Sequence, residues 1–93
     1  MIKVVALPSF ERSVKKLSRQ NKDKLAEGLE GFNSFLLSGA APAGLGFKKI
    51  NHDKYEFRID IKLRVILKID HDTYYLVLVG NHEEIKRYLR NFR

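Results

Sequence analysis

The spacing of apolar residues along the chain shifts between strand-like and helix-like periods, and each shift predicts an element. Ile2 to Leu7 is a short apolar run with two valines that stops at Pro8, which predicts a strand buried on at least one face. Ser9 stands where a helix N-cap belongs, and Phe10, Val14 and Leu17 follow at i, i+4 and i+7. Arg12, Lys15, Lys16 and Arg19 surround that stripe as a basic outer surface. The polar stretch from Ser18 to Asp23, which contains Asn21, predicts a break. A second helix is expected from about Lys22 to Ser38, with Leu25, Leu29, Phe32 and Leu36 as its core stripe. Gly28 and Gly31 each weaken it by roughly 1 kcal/mol relative to Ala. Gly39 occupies the usual C′ place and Pro42 prevents resumption. Two successive amphipathic helices predict a helical hairpin packed on one face of a sheet.

From residue 45 the period falls to two. Gly39 to Gly46 is a loop of small residues, Leu45 to Ile50 a short strand carrying Lys48 and Lys49, and Asn51 to Lys54 a turn. In Tyr55 to Asp60 the residues Tyr55, Phe57, Ile59 and then Ile61 share one phase, and Glu56, Arg58 and Asp60 the other. In the next run Leu63, Val65, Leu67 and Ile69 form the core phase, leaving Arg64, Ile66 and Lys68 opposite. After the turn at 70–73, Tyr74 to Val79 is almost wholly apolar, as a central strand is. These three runs make a β-meander with one apolar and one charged face. Beyond Gly80 the helical period returns. Asn81 with Glu84 resembles a capping box, Ile85, Tyr88, Leu89 and Phe92 form an inner stripe, and Lys86, Arg87, Arg90 and Arg93 lie outside. The order β-α-α-β-β-β-β-α is an α+β fold: a small, mostly antiparallel sheet packed by an N-terminal helical hairpin, with a C-terminal helix. There is no internal repeat or linker, so residues 1–93 form one domain.

Composition narrows the class. Ninety-three residues suffice for a single core, and 44% hydrophobic content argues against disorder. No apolar run approaches bilayer length and the N-terminus lacks a signal-peptide pattern, so a cytoplasmic protein is expected. Cysteine is absent, which removes disulfides and thiolate chemistry. A formal charge of +7 on so small a domain favours polyanionic partners such as nucleic acid, acidic protein or anionic lipid.

The chemical candidates follow from what is missing. His52, His71 and His82 are scattered, without a His-x-x-x-His or acidic cluster, so no metal site and no cofactor is expected. Neither a phosphate-binding loop nor a Gly-x-Ser-x-Gly elbow is present. A metal-independent set remains: Arg58 and Arg64 on neighbouring strands, Glu56 beside them, His82 directly after the last strand, and Tyr88 two turns into the final helix. Metal-free RNA cleavage needs a base for the 2′-hydroxyl, cations around the phosphate and an acid for the leaving 5′-oxygen. Histidine or glutamate, arginine and histidine can fill those roles. Each residue also has a structural reading. Glu56 and Arg58 form a solvated ion pair, Arg64 binds a phosphate or an acidic partner, His82 caps the last helix, and Tyr88 packs in the core.

In its order of elements, length and charge the chain resembles the RelE/ParE superfamily of toxin–antitoxin toxins. The likeness runs from Leu7-Pro8-Ser9-Phe10-Glu11 to the C-terminal helix and centres on Tyr55-Glu56-Phe57-Arg58-Ile59, Leu63 to Asp70, and Val79-Gly80-Asn81-His82. The resemblance implies a ribosome-dependent mRNA endoribonuclease neutralised by a cognate antitoxin, with which it forms a hetero-oligomer, and no membrane association. It also implies site residues. Arg64 matches the superfamily's strand arginine, Arg58 a basic or histidine position on the preceding strand, and His82 the histidine of YafQ-like members. Tyr88 falls at the helix tyrosine of the RelE branch. Glu56 departs from the lysine found there, which thins the cationic clamp and leaves Lys48, Lys49 or Lys62 to compensate. Lys68, Lys86 and Arg87 complete the cations assigned to RNA and ribosome contact. The ParE branch shares the fold but inhibits DNA gyrase without nuclease activity. Its members generally lack the set of basic, histidine and tyrosine residues, so the ribonuclease reading is preferred; a binding-only protein that has lost activity is a third reading.

Overall fold

The computed structural model describes residues 2–39 and 45–91. Five strands and three helices follow in the expected order: β1 (Lys3–Ala6), α1 (Pro8–Lys15), α2 (Arg19–Ser38), β2 (Lys48–Lys49), β3 (Lys54–Arg58), β4 (Arg64–Asp70), β5 (Thr73–Gly80) and α3 (His82–Asn91). The strands form one sheet in the order β1-β5-β4-β3-β2. Only β1 runs parallel to its neighbour β5; the remaining pairs are antiparallel. The α+β expectation holds, and the meander is β3-β4-β5.

Both sheet faces are covered. On one, α1 and α2 close a core of Phe10, Leu25, Phe32, Phe57, Val65 and Leu67 with their neighbours. Phe32 stacks on Phe57 with ring centroids 4.4 Å apart, tying the middle of α2 to the middle of β3. On the other face, α3 lays Ile85 over Ile66 and Val77. Ile66, expected on a charged face, is therefore fully buried. The unbroken apolar run of β5 has a local cause: the register slips so that Ile66 faces Leu78 while Leu67 faces Leu76. That bulge adds one residue, and Val77 and Leu78 both join the α3 side between the core residues Leu76 and Val79.

Several boundaries differ from the sequence reading. β1 is exposed along its length, with Val4 at 45% and Val5 at 39%, because it is the sheet's outer strand. α1 begins at Pro8 with Leu7 in the cap position and no side-chain cap. Ser9 is not the cap; its hydroxyl donates to the Val77 carbonyl at 2.6 Å. One turn on, Ser13 Oγ accepts from the Val79 amide at 3.0 Å. β1 pairs with β5 only as far as Ala6 opposite Leu76. Beyond that point two serines of α1 satisfy backbone groups on the same strand. α2 starts three residues earlier than expected, at Arg19, because Ser18 accepts the Asn21 amide and caps it. Gly39 ends α2 in the left-handed conformation with φ 76°, as its position predicted. Gly28 is a spacing residue: a Cβ there would strike Ile59 Cδ1. Ile61, assigned to the core phase, is 87% exposed, since β3 ends at Arg58 and residues 59–63 turn. The capping box is reciprocal, Asn81 N–H to Glu84 Oε1 and Glu84 N–H to Asn81 Oδ1, both 2.9 Å. Phe92, Arg93 and Pro42 lie outside the described residues.

Candidate functional site

In the β3–β4 ladder, Arg58 is the direct partner of Arg64, and Arg64 is in turn the partner of Gly80 on β5. Directly opposed residues share a face, so the two arginines stand side by side on the α3 side of the sheet at one end. With strands about 4.8 Å apart, the row from Arg58 to Gly80 spans roughly 10 Å. His82, two residues after Gly80, is exposed as the first residue of α3 and leaves from the same rim.

Opposed like charges cost stability, and this pair is only partly offset. Glu56, one pleat back from Arg58, is 7% exposed and accepts from Arg64 Nη1 at 2.9 Å. Lys48, its register partner on β2, reaches the same carboxylate oxygen at 3.7 Å. Glu56 is thus neither solvated nor paired with Arg58: its carboxylate holds Arg64. The buried Arg64 Nε has no acceptor among the described residues. Arg58 has no ion-pair partner among them and lies against the loop before β2. Its amide donates to the Leu45 carbonyl at 2.7 Å, and a Cβ at Gly46 would come within 3.4 Å of its guanidinium. Gly46 went unnoticed in the sequence, where it looked like one more small loop residue.

The turn that delivers Arg64 to its strand is organised by Asp60. Its Oδ1 accepts the amides of Lys62 (2.8 Å) and Leu63 (2.6 Å), and its Oδ2 accepts Lys24 Nζ at 3.2 Å. Burial alone raises the Asp60 pKa, but these hydrogen bonds outweigh it and bring the carboxyl below its ordinary value. At the other end of the same face a second like-charge pair, Lys54 opposite Lys68, is bridged by Asp53 at 3.3 and 3.7 Å. There too burial raises the Asp53 pKa and the two lysines more than reverse it.

The remaining sequence candidates do not converge on the rim. Lys49 projects to the opposite side of β2 from Lys48, Lys68 is at the far end of β4, and Lys86 is exposed on α3. Lys62 sits on the β3–β4 turn facing α1 and α2, and Arg87 faces α1. Tyr88, expected to lean back towards His82, instead packs among Ile66, Val77 and Ile85 and borders the groove between α1 and α3. Its hydroxyl pKa is raised above 10.0, first by burial and then by Asp53, with Lys68 opposing. Among the described residues no three His, Cys, Asp or Glu side chains gather as a metal site would require. No helix among them is long and apolar enough to cross a membrane.

No family model matches the chain, and no curated protein matches it in sequence. Solved structures do match in fold. YafQ from E. coli strain BL21(DE3) superposes with a TM-score of 0.68 at 13% identity, covering 91% of this chain and 98% of that one. The E. coli DinJ–YafQ complex gives 0.70 at 14%, with the same coverages. The RelB–RelE antitoxin–toxin complex of Methanococcus jannaschii gives 0.68 at 17%, covering 90% and 96%. The sheet that sets Arg58 beside Arg64, the paired N-terminal helices and the α3 that starts at His82 are together the fold of the RelE and YafQ toxins of toxin–antitoxin systems.

Proposed function

We propose that the protein is the toxin of a type II toxin–antitoxin pair, a cytoplasmic mRNA endoribonuclease that acts on the ribosome and is neutralised by a cognate antitoxin in a hetero-oligomer. The observation that carries this reading is the pair of arginines opposed across β3–β4 at the rim from which His82 emerges. Two guanidinium groups held side by side against their mutual repulsion suit a phosphate, whose charge each can meet through paired N–H donors. An antitoxin partner is supported by fold neighbours solved as toxin–antitoxin complexes.

In this mechanism the RNA 2′-oxygen attacks the adjacent phosphorus while the bond to the 5′-oxygen breaks. The 2′-hydroxyl proton passes to a base, and a proton is delivered to the leaving oxygen. Arg58 and Arg64 stabilise the negative charge that builds on the phosphate. His82 carries the proton, since imidazole gives and takes protons near neutral pH. Glu56 positions Arg64 and leaves the proton transfer to His82, because its carboxylate is already engaged by Arg64 and Lys48. Tyr88 orients the strand away from the reacting atoms.

Mapping mRNA 5′ ends after induction tests the reading. The native chain should give ribosome-dependent cuts, and Arg64→Ala or His82→Ala should reduce them by about a hundredfold or more. Growth arrest with intact mRNA and a DNA-damage response would replace it with gyrase inhibition. Cutting that survives both variants would place the chemistry elsewhere.

A further inference from the structure

At the edge of the sheet away from the arginine rim, β1 pairs with β5 on one side, and no described strand lies beyond it. Lys3 and Leu7 donate their amides inward, to the carbonyls of Asp72 and Leu76. Backbone groups alternate along a strand, so the amides and carbonyls of Ile2, Val4 and Ala6 point outward. Side chains alternate as well. Ile2 and Val4 face α2, and with Asn33, Leu36 and Leu37 they line a cavity of about 240 Å³. Lys3 and Val5 stand on the other face of the strand.

Four of the five large apolar side chains exposed among the described residues gather here: Ile2, Val4, Val5 and Leu37, the last 82% exposed. An apolar patch of this kind marks a contact surface. Its charge says what it suits. Residues 31–38 of α2 carry none and β1 carries only Lys3, on a chain of formal charge +7. A polyanion finds one cation at this edge and many elsewhere. The matching surface is uncharged, apolar and edged by a free strand, which describes the patch itself.

We propose that a second copy of this chain docks here, β1 against β1, about a two-fold axis through Val4. The axis sets the two strands antiparallel, with Val4 opposite Val4, Ile2 opposite Ala6 and Lys3 opposite Val5. In this register every facing pair has its amides turned the same way, as an antiparallel ladder requires. Ile2, Val4 and Ala6 exchange backbone bonds, and the Leu36–Leu37 ends of both α2 helices flank one apolar row. On the other face the stem of Lys3 covers Val5 of the second copy while its ammonium stays in water. The inference does not depend on the ribonuclease reading. β5 separates β1 from the strands that carry Arg58 and Arg64, so the rim stays open in the dimer.

Sedimentation velocity of the full chain from about 5 to 500 μM tests the proposal. So short an edge belongs with the weak interfaces below about 1,200 Å², and a dissociation constant of roughly 10–100 μM is expected. The two Lys3 residues are diagonal neighbours about 7–8 Å apart, so sodium chloride raised from about 50 to 500 mM should tighten the dimer. Val4→Lys sets like charges on the axis and should weaken association at least about tenfold. Leu37→Lys, at a side chain too exposed to matter for folding, should weaken it about threefold. Ile61→Lys makes the same charge change at an exposed apolar residue of the β3–β4 turn and should leave association unchanged. A chain still monomeric at about 500 μM would overturn the proposal, as would a dimer indifferent to both edge variants. Polyglutamate binding that Val4→Asp weakens, in a chain that stays monomeric, would give the edge to an acidic partner instead.

Discussion

Ser13 illustrates how much a single side chain can do without a motif to announce it. Its hydroxyl is buried, donates to the Phe10 carbonyl at 2.7 Å and accepts the Val79 amide at 3.0 Å. In the sequence it is one serine in a helix, and only the end of β1 pairing at Ala6 creates the need it meets. Ser13→Ala should orphan a buried amide and cost about 1–3 kcal/mol in denaturant unfolding; a cost near zero would show that the Val79 amide has another partner. Glu56 had the opposite fate: its identity was legible and its partner was not, since alternation alone could not say whether Arg58 or Arg64 would take it. Tyr88 offers a pH test. Its pKa is raised in the fold, so the neutral hydroxyl is favoured there. That contribution to stability is fully present below the unfolded value near 10 and is lost as pH rises through the folded value. Absorbance titration near 295 nm should show one tyrosine ionising later than a free phenol, and Tyr88→Phe should remove that late component.

At the scale of elements, long periodic segments were readable because burial enforces periodicity. The α2 stripe and the capping box of α3 fell where the sequence placed them. The errors came where tertiary contacts override local preference. Asn21 looked like a breaker but lies in the first turn of α2, its amide held by Ser18. Ile61 looked like a core residue but follows a strand that Asp60 had already turned. Ile66 looked solvent-facing because nothing local reveals that α3 returns across that face. Gly28 makes the contrast measurable. Helix propensity alone predicts a gain of about 1 kcal/mol for Gly28→Ala. Against it stands the displacement of Ile59 Cδ1, the tip of a half-buried side chain, which should reduce that gain. Recovery of the full gain in an Ile59→Val background would confirm that displacement as the cause.

Across the whole molecule, one sheet separates two jobs. The α1–α2 side carries the larger core, while among the described residues the buried apolar cluster of the α3 side is Ile66, Val77 and Ile85, and its two ends are basic. The rim's members could be named from sequence because charged residues on strands are conspicuous. Their convergence could not, because it depends on the β3–β4 register and on where α3 departs. The exposed β1 offers apolar Val4 and Val5 at the sheet's edge, with Lys3 the charged residue of the strand.

The opposed pairs Arg58/Arg64 and Lys54/Lys68 have a consequence for the free chain's endurance in dilute buffer. Each pair works against folding by at most about 1 kcal/mol, since Glu56 on Arg64 and Asp53 between the two lysines offset part of the repulsion, and mobile anions relieve the remainder. For a domain of this length 1 kcal/mol moves the melting temperature by about 4–8 °C. Raising sodium chloride from about 50 to 500 mM, which shortens the range of charge interactions, should therefore lift the melting temperature by several degrees. Arg58→Gln together with Lys68→Gln should flatten that response; an unchanged response would locate the salt effect elsewhere. A chain built this way is least durable when alone, and anything anionic that settles on it also keeps it folded.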